Sequence, residues 1–223
     1  KVFDLIHKCV SNAAALRRIT RETLADFAAK RVCYLELRTT PRALDDCSME
    51  EYVAIVLGEM EAFDTKLNAG DGGESEGGNA RFKTRRLPCI VRLILSIDRS
   101  GTAESGIVIA RLARKVFNGG EKFLVGVDLG GNPLKGTFEM FLPALELVRE
   151  AGLRVTVHCG ELPCEGEGEV MAGRRRELMG VMNFRPDRIG HGIYLTEEVR
   201  DLLVENPIPI EVCPTSNAMT MAL

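Results

Sequence analysis

The stretch Val155-Thr-Val-His-Cys-Gly-Glu161 decides how the rest of the chain is read. Val155 and Val157 alternate with Thr156 and His158, so the spacing predicts a strand with its valines on one face and the polar pair on the other. Gly160 then permits a tight turn, which would carry the Glu161 carboxylate back towards the His158 imidazole. A second histidine closes the short run Arg188-Ile-Gly-His-Gly192, so two of the chain's three histidines stand at the ends of apolar runs beside glycines. Imidazoles and a carboxylate at strand ends suit a metal-assisted hydrolase. On these residues alone, two structural histidines and a surface glutamate explain the pattern equally well.

Outward from this stretch, short apolar runs recur at 32–37, 90–97, 123–129, 153–157, 188–189 and 208–212, and read as strands. Helical patterns lie between them at 49–67, 107–117, 138–150 and 197–205, with Ser48 and Glu51 forming a capping box for the first. Strand alternating with helix implies an α/β fold with a parallel sheet. Each strand ends in polar chemistry: Thr39-Thr-Pro-Arg42, Asp98, Asp128 to Gly131, His158 to Glu161, His191, then Pro214-Thr-Ser-Asn217. A doubly wound sheet gathers its ligands at one switch point. Six polar endings favour a (β/α)8 TIM-type barrel, whose active site is built from the C-terminal ends of several strands.

The motifs also resemble the adenosine deaminase superfamily, whose fifth strand carries His-Ala-Gly-Glu and whose sixth ends in Gly-His. Here those positions read His158-Cys159-Gly160-Glu161 and Gly190-His191-Gly192. The resemblance extends to Tyr34-Leu-Glu-Leu-Arg-Thr-Thr-Pro-Arg42, Val127-Asp-Leu-Gly-Gly131 and Glu211-Val-Cys-Pro-Thr-Ser-Asn217, in order from about His7 to Asn217. It is similar above all to the adenosine deaminase-like branch, which acts on N6-methyl-AMP. The superfamily barrel opens with a His-x-His strand and closes with an Asp-Asp strand. Neither motif is present, His7 being solitary and Asp45-Asp46 lying early, before a helix. The 223 residues, running from Lys1 to Leu223 without an initial methionine, are therefore expected to be strands two to seven of one incomplete barrel domain. The Gly-, Glu- and Ser-rich stretch at 68–86 reads as a disordered insertion.

The resemblance implies one zinc ion, held by three histidines and an aspartate, with His158 as one ligand. The other ligands would belong to the absent strands, so the segment alone is expected to be inactive. Glu161 corresponds to the donor that protonates purine N1 while hydroxide attacks C6, and His191 to the residue that orients the attacking water. Substrate contacts fall on His7, Thr39, Thr40, Pro41, Arg42, Asp98 and Gly131. Two hydroxyls and a guanidinium within four residues suit a phosphate, since arginine donates bidentately to its oxygens. Plain adenosine deaminases carry a Tyr-Ser-Pro-type sequence at this place, which favours a nucleotide over a nucleoside. Arg42 as an ordinary surface arginine, His7 as a helix residue, Gly131 as a turn glycine and Asp98 as a loop cap are the structural alternatives.

Composition agrees with a small-molecule enzyme. Hydrophobic residues make up 45% and charged residues 27%, enough to bury one core. A net charge of −3 gives no basic footprint for nucleic acid, and Arg174-Arg-Arg176 reads as a solvated helix face. No apolar run approaches the roughly 20 residues of a membrane span. Seven cysteines without Cys-x-x-Cys spacing argue against a disulfide framework and point to the reducing cytoplasm. The expected protein is thus a monomeric, cytoplasmic zinc deaminase converting N6-methyl-AMP to IMP and methylamine. The alternatives are an adenosine deaminase acting on the nucleoside, and a non-catalytic purine-binding relative. Cytidine-type deaminases use His-x-Glu with Pro-Cys-x-x-Cys, which this chain lacks.

Overall fold

The computed structural model describes residues 8–68 and 89–221. Thirteen elements follow one another: α1 (Ala13–Ala29), β1 (Tyr34–Thr39), α2 (Met49–Asn68), β2 (Ile90–Asp98), α3 (Ala103–Asn118), β3 (Leu124–Gly130), α4 (Phe138–Glu150), β4 (Arg154–Cys159), α5 (Glu169–Phe184), β5 (Arg188–His191), α6 (Glu197–Glu205), β6 (Ile210–Glu211) and α7 (Pro214–Met221). Two compact units share them, with the boundary inside β2 between Leu93 and Ile94. The sheet runs β1-β2-β3-β4-β5-β6 in sequence order, without the reversal that marks a doubly wound sheet. His7 and all of the 68–86 stretch except Asn68 lie outside the described residues.

In the first unit, α1 packs on α2. Asn12 caps α1 by accepting from the Ala15 N–H at 2.8 Å, and Asp46 accepts from Ala13 N–H at 2.7 Å. Ser48 and Glu51 make the expected box on α2: the Ser48 N–H donates to Glu51 at 2.8 Å, and the Glu51 N–H to Ser48 Oγ at 3.2 Å.

In the second unit, β3, β4, β5 and β6 pair in parallel, with His158 opposite Gly190 and Cys159 opposite His191. Val127, Leu129, Val155 and Val157 are fully buried, but so are Asp128 and Thr156 on the other face. The valine/polar alternation therefore does not divide core from solvent, because the strands of a parallel sheet are covered on both faces, in a barrel by helices outside and by packed side chains inside. Thr102 and Ser105 box the start of α3, and α3 packs on α4. Strand limits differ from the sequence expectation by at most two residues at either end. Helices 138–150 and 197–205 are found as expected, while α1, α5 and α7 were not delimited from sequence. Among the described residues no helix is long and apolar enough to cross a membrane.

Candidate active site

His158 stands on the penultimate residue of β4, between two glycines on the neighbouring strands. A Cβ on Gly130 of β3 would lie 3.1 Å from Nδ1, and one on Gly190 of β5 would lie 3.0 Å from Cδ2. Only residues without side chains leave room for the imidazole there. Asp128, 2% exposed, meets Nδ1 at 2.9 Å. A carboxylate can only accept, so Nδ1 carries the proton and the neutral ring has its lone pair at Nε2. Histidines that ligate metals characteristically donate their other N–H to a carboxylate in this way.

After β4, Gly160 (φ 66°) turns the chain and delivers Glu161 to His191, with 3.4 Å between Oε2 and Nε2, where the sequence predicts an approach to His158. A Cβ on Gly160 would press on Leu195 at 3.1 Å and on the Gly192 backbone at 3.2 Å. The turn is locked by Gly192 N–H donating to the Cys159 carbonyl and Tyr194 N–H to the Gly160 carbonyl. His191 itself has φ 66°, a left-handed conformation that costs a non-glycine residue about 1–2 kcal/mol. Strain of this kind collects where a side chain must be aimed. Asn217, in the first turn of α7, accepts from His191 Nδ1 at 2.7 Å. A neutral His191 then has its lone pair at Nε2, the nitrogen that stands 3.4 Å from Glu161. The two imidazole centroids are 5.2 Å apart, and both side chains are mostly buried.

Asp98 Oδ1 accepts from Ser100 N–H at 2.8 Å, holding the turn after β2. Gly131 has φ 103°, and a Cβ there would collide with Asp98 Oδ1. Both residues thus have a local structural role beside any contact with substrate. In the first unit, Thr39 Oγ1 bonds the Tyr52 hydroxyl at 2.6 Å. Arg42 donates to the Val10 carbonyl at 2.9 Å and lies 5.9 Å from the Tyr52 ring centroid. Pro41 is buried and Thr40 half-buried.

Four residues of this site escape a reading of the sequence. Asp128 and Asn217 lie in segments recognisable as strand endings, but their pairing with histidines 30 and 26 residues away has no local signal. Arg99 and Glu177 have none at all. Arg99, 2% exposed, donates to the His158 carbonyl at 3.3 Å and pairs with Glu177 at 2.5 Å. Its buried Nε has no hydrogen-bond partner, an omission that costs about 1–3 kcal/mol. Arg99, Cys159, Glu161, Leu162 and Glu177 line one cleft with His158. Burial pushes the Cys159 thiol up to about 12, against the opposing charge of Arg99.

Among the described residues no group of three His, Cys, Asp or Glu side chains is placed to hold a metal ion. His158, with its proton fixed by Asp128, fits the part of one ligand. Arg174 and Arg175, expected from sequence on a solvated face, instead donate to the Pro163 and Cys164 carbonyls at 2.6 and 2.8 Å. They fasten the loop that follows Glu161.

Known proteins resemble the chain over its whole length. A family profile described as adenosine deaminase matches residues 1–223. The N6-mAMP deaminase of Arabidopsis thaliana is 37% identical, over 100% of this chain and 60% of its own length. The crystal structure of arabidopsis N6-mAMP deaminase superposes with a TM-score of 0.80 at 35% identity, covering 100% of this chain and 59% of that one. The structure of arabidopsis ADAL complexed with IMP gives a TM-score of 0.79 at 36% identity, covering 99% and 58%. The chain therefore spans about 60% of the length of these relatives, and its alternating strands and helices are part of a (β/α)8 barrel, roughly strands two to seven. Fold, motifs and profile agree that the chain belongs to the adenosine deaminase family, with its likeness greatest to the N6-methyl-AMP deaminase branch.

Proposed function

We propose that the protein to which this chain belongs is a zinc-dependent hydrolytic deaminase of a 6-aminopurine nucleotide, converting N6-methyl-AMP and water to IMP and methylamine. The observation that carries the reading is the Glu161–His191 contact beside His158, with each imidazole oriented through Nδ1 by a separate partner. The relatives named N6-mAMP deaminase, and the solved relative holding IMP, support the substrate class. Glu161 holds the proton that goes to purine N1, which makes C6 the better electrophile. His191, aimed by Asn217 and by its own left-handed backbone, orients the attacking water. His158 Nε2 would serve as one ligand of the zinc ion, which when bound lowers the pKa of water to about 7. Asp98 and Gly131 would face the ribose and purine, and Thr39, Thr40, Pro41 and Arg42, with His7, the nucleotide.

The test is turnover by the full-length protein with N6-methyl-AMP, AMP and adenosine in parallel. N6-methyl-AMP should be preferred, and Glu161→Ala should lower kcat by about 10²–10⁴-fold, the usual worth of a general acid. Preference for adenosine would replace the nucleotide by the nucleoside. No turnover of any purine by metal-loaded protein would leave a purine-binding relative.

A further inference from the structure

A buried arginine outside the proton-transfer group ties together the strand ends on which that group stands. Arg99 follows β2 directly. Its backbone N–H donates to the Gly130 carbonyl of β3 at 2.9 Å, and its guanidinium donates to the His158 carbonyl of β4 at 3.3 Å. The same guanidinium pairs with Glu177 of α5 at 2.5 Å. One residue thus holds the ends of three adjacent strands and the helix behind them. The two strand ends it grips beyond its own carry Gly130, which makes room for the imidazole, and His158 itself.

Stability is a poor reason for such a residue. A buried ion pair seldom stabilises a fold more than apolar side chains of similar volume would. Here the burial is also incomplete in its satisfaction, because the Nε N–H has no partner. Lysine could neutralise Glu177, but its single ammonium lacks the planar fork that serves a carboxylate and a carbonyl in fixed directions at once.

We propose that Arg99 is a positioning residue for the reaction: through the His158 carbonyl it fixes the end of β4, and with it the His158 imidazole and the departure of the turn to Glu161. The kinetic part of this proposal rests on the deaminase reading; the structural part does not. Two measurements on full-length Arg99→Met and Arg99→Lys proteins test it. The first is the imidazole proton–nitrogen spectrum, with His158 assigned by its loss in His158→Asn. The second is steady-state kinetics with N6-methyl-AMP, alongside the thermal midpoint.

In both variants the His158 Nδ1–H resonance should shift and exchange faster. In Arg99→Met, kcat should fall about 100-fold, as a displacement of the order of 1 Å would cause, with KM within about twofold. The thermal midpoint should fall in Arg99→Met, which leaves Glu177 and the His158 carbonyl without their partner, so kcat is read per folded molecule. An unchanged His158 resonance in Arg99→Lys would overturn the proposal, even if Arg99→Met failed to fold. So would a fall in thermal midpoint accompanied by full activity per folded molecule. If wild-type protein turned over no purine, the deaminase reading would fail, and the His158 resonance would still decide the role of Arg99.

Discussion

His158 is restrained through its ring by Asp128 and through its own carbonyl by Arg99, and it is confined by glycines on both neighbouring strands. A side chain so held has lost its rotamer freedom before any ligand arrives, which is what a preorganised site requires. The next residue, Cys159, has the opposite character: it is 6% exposed, and burial holds its thiol at about 12. A thiolate is the nucleophile of cysteine chemistry, so this thiol should resist alkylation at pH 8 while the exposed Cys9 and Cys33 react. The same burial has a consequence for stability. The folded-state value lies above the ordinary value of 9.0, so the unfolded chain releases this proton first as pH rises. The contribution is complete below about pH 9 and is lost as pH rises towards 12. Denaturation midpoints measured across that window should fall in the wild type, and fall less steeply in Cys159→Ala. Parallel slopes for the two proteins would mean that Cys159 titrates normally in the fold.

At the scale of elements, β3, β4 and β5 place side chains by leaving them out as much as by supplying them. Gly190 shows this most clearly, since a Cβ there would come within 3.0–3.3 Å of three atoms of the His158 ring. Gly190→Ala should therefore move the imidazole by a few tenths of an ångström and lower kcat about tenfold, with a near-wild-type denaturation midpoint. Gly58 in α2 is the contrasting case, with no atom within 4 Å of the place a Cβ would take. Gly58→Ala should stabilise the protein by about 0.5–1 kcal/mol and leave kcat alone. Equal effects of the two substitutions would show that the space beside His158 is not used. These relations also mark how far sequence can see. The strands are legible because buried parallel strands are short apolar runs, and His158, Glu161 and His191 because each sits within two residues of a glycine at such a run's end. Helix α1 is not, since its buried stripe is only Leu16, Thr20 and Leu24, with a polar residue at its centre and four charges among the residues between Leu16 and Leu24. Pro214 reads in the sequence as the end of a strand, whereas it opens α7, a position where proline's missing N–H is no loss. The partners Asp128, Asn217, Arg99 and Glu177 are invisible in role, because contacts across 26 residues or more leave no spacing to read.

Taken together, these 223 residues carry a net charge of −3, so their summed field does not attract a phosphate. Recognition of a nucleotide must come from a local cation, and Arg42 after β1 is the residue proposed for it. The structure gives that residue other work as well. One guanidinium nitrogen donates to the Val10 carbonyl, and the group lies over Tyr52, whose hydroxyl is bonded to Thr39. The bond to Val10 fixes the direction in which the guanidinium fork points. Support of the neighbouring chain and recognition of a phosphate separate by substrate. Loss of a charge-assisted bond to phosphate is worth about 1.5–3 kcal/mol, or roughly 10- to 150-fold in kcat/KM. Arg42→Ala should lower kcat/KM for N6-methyl-AMP by that factor and leave N6-methyladenosine nearly unaffected, collapsing the ratio between nucleotide and nucleoside. An equal fall for both substrates would identify Arg42 as a strut for Val10 and Tyr52, and would remove the main residue-level reason for preferring a nucleotide.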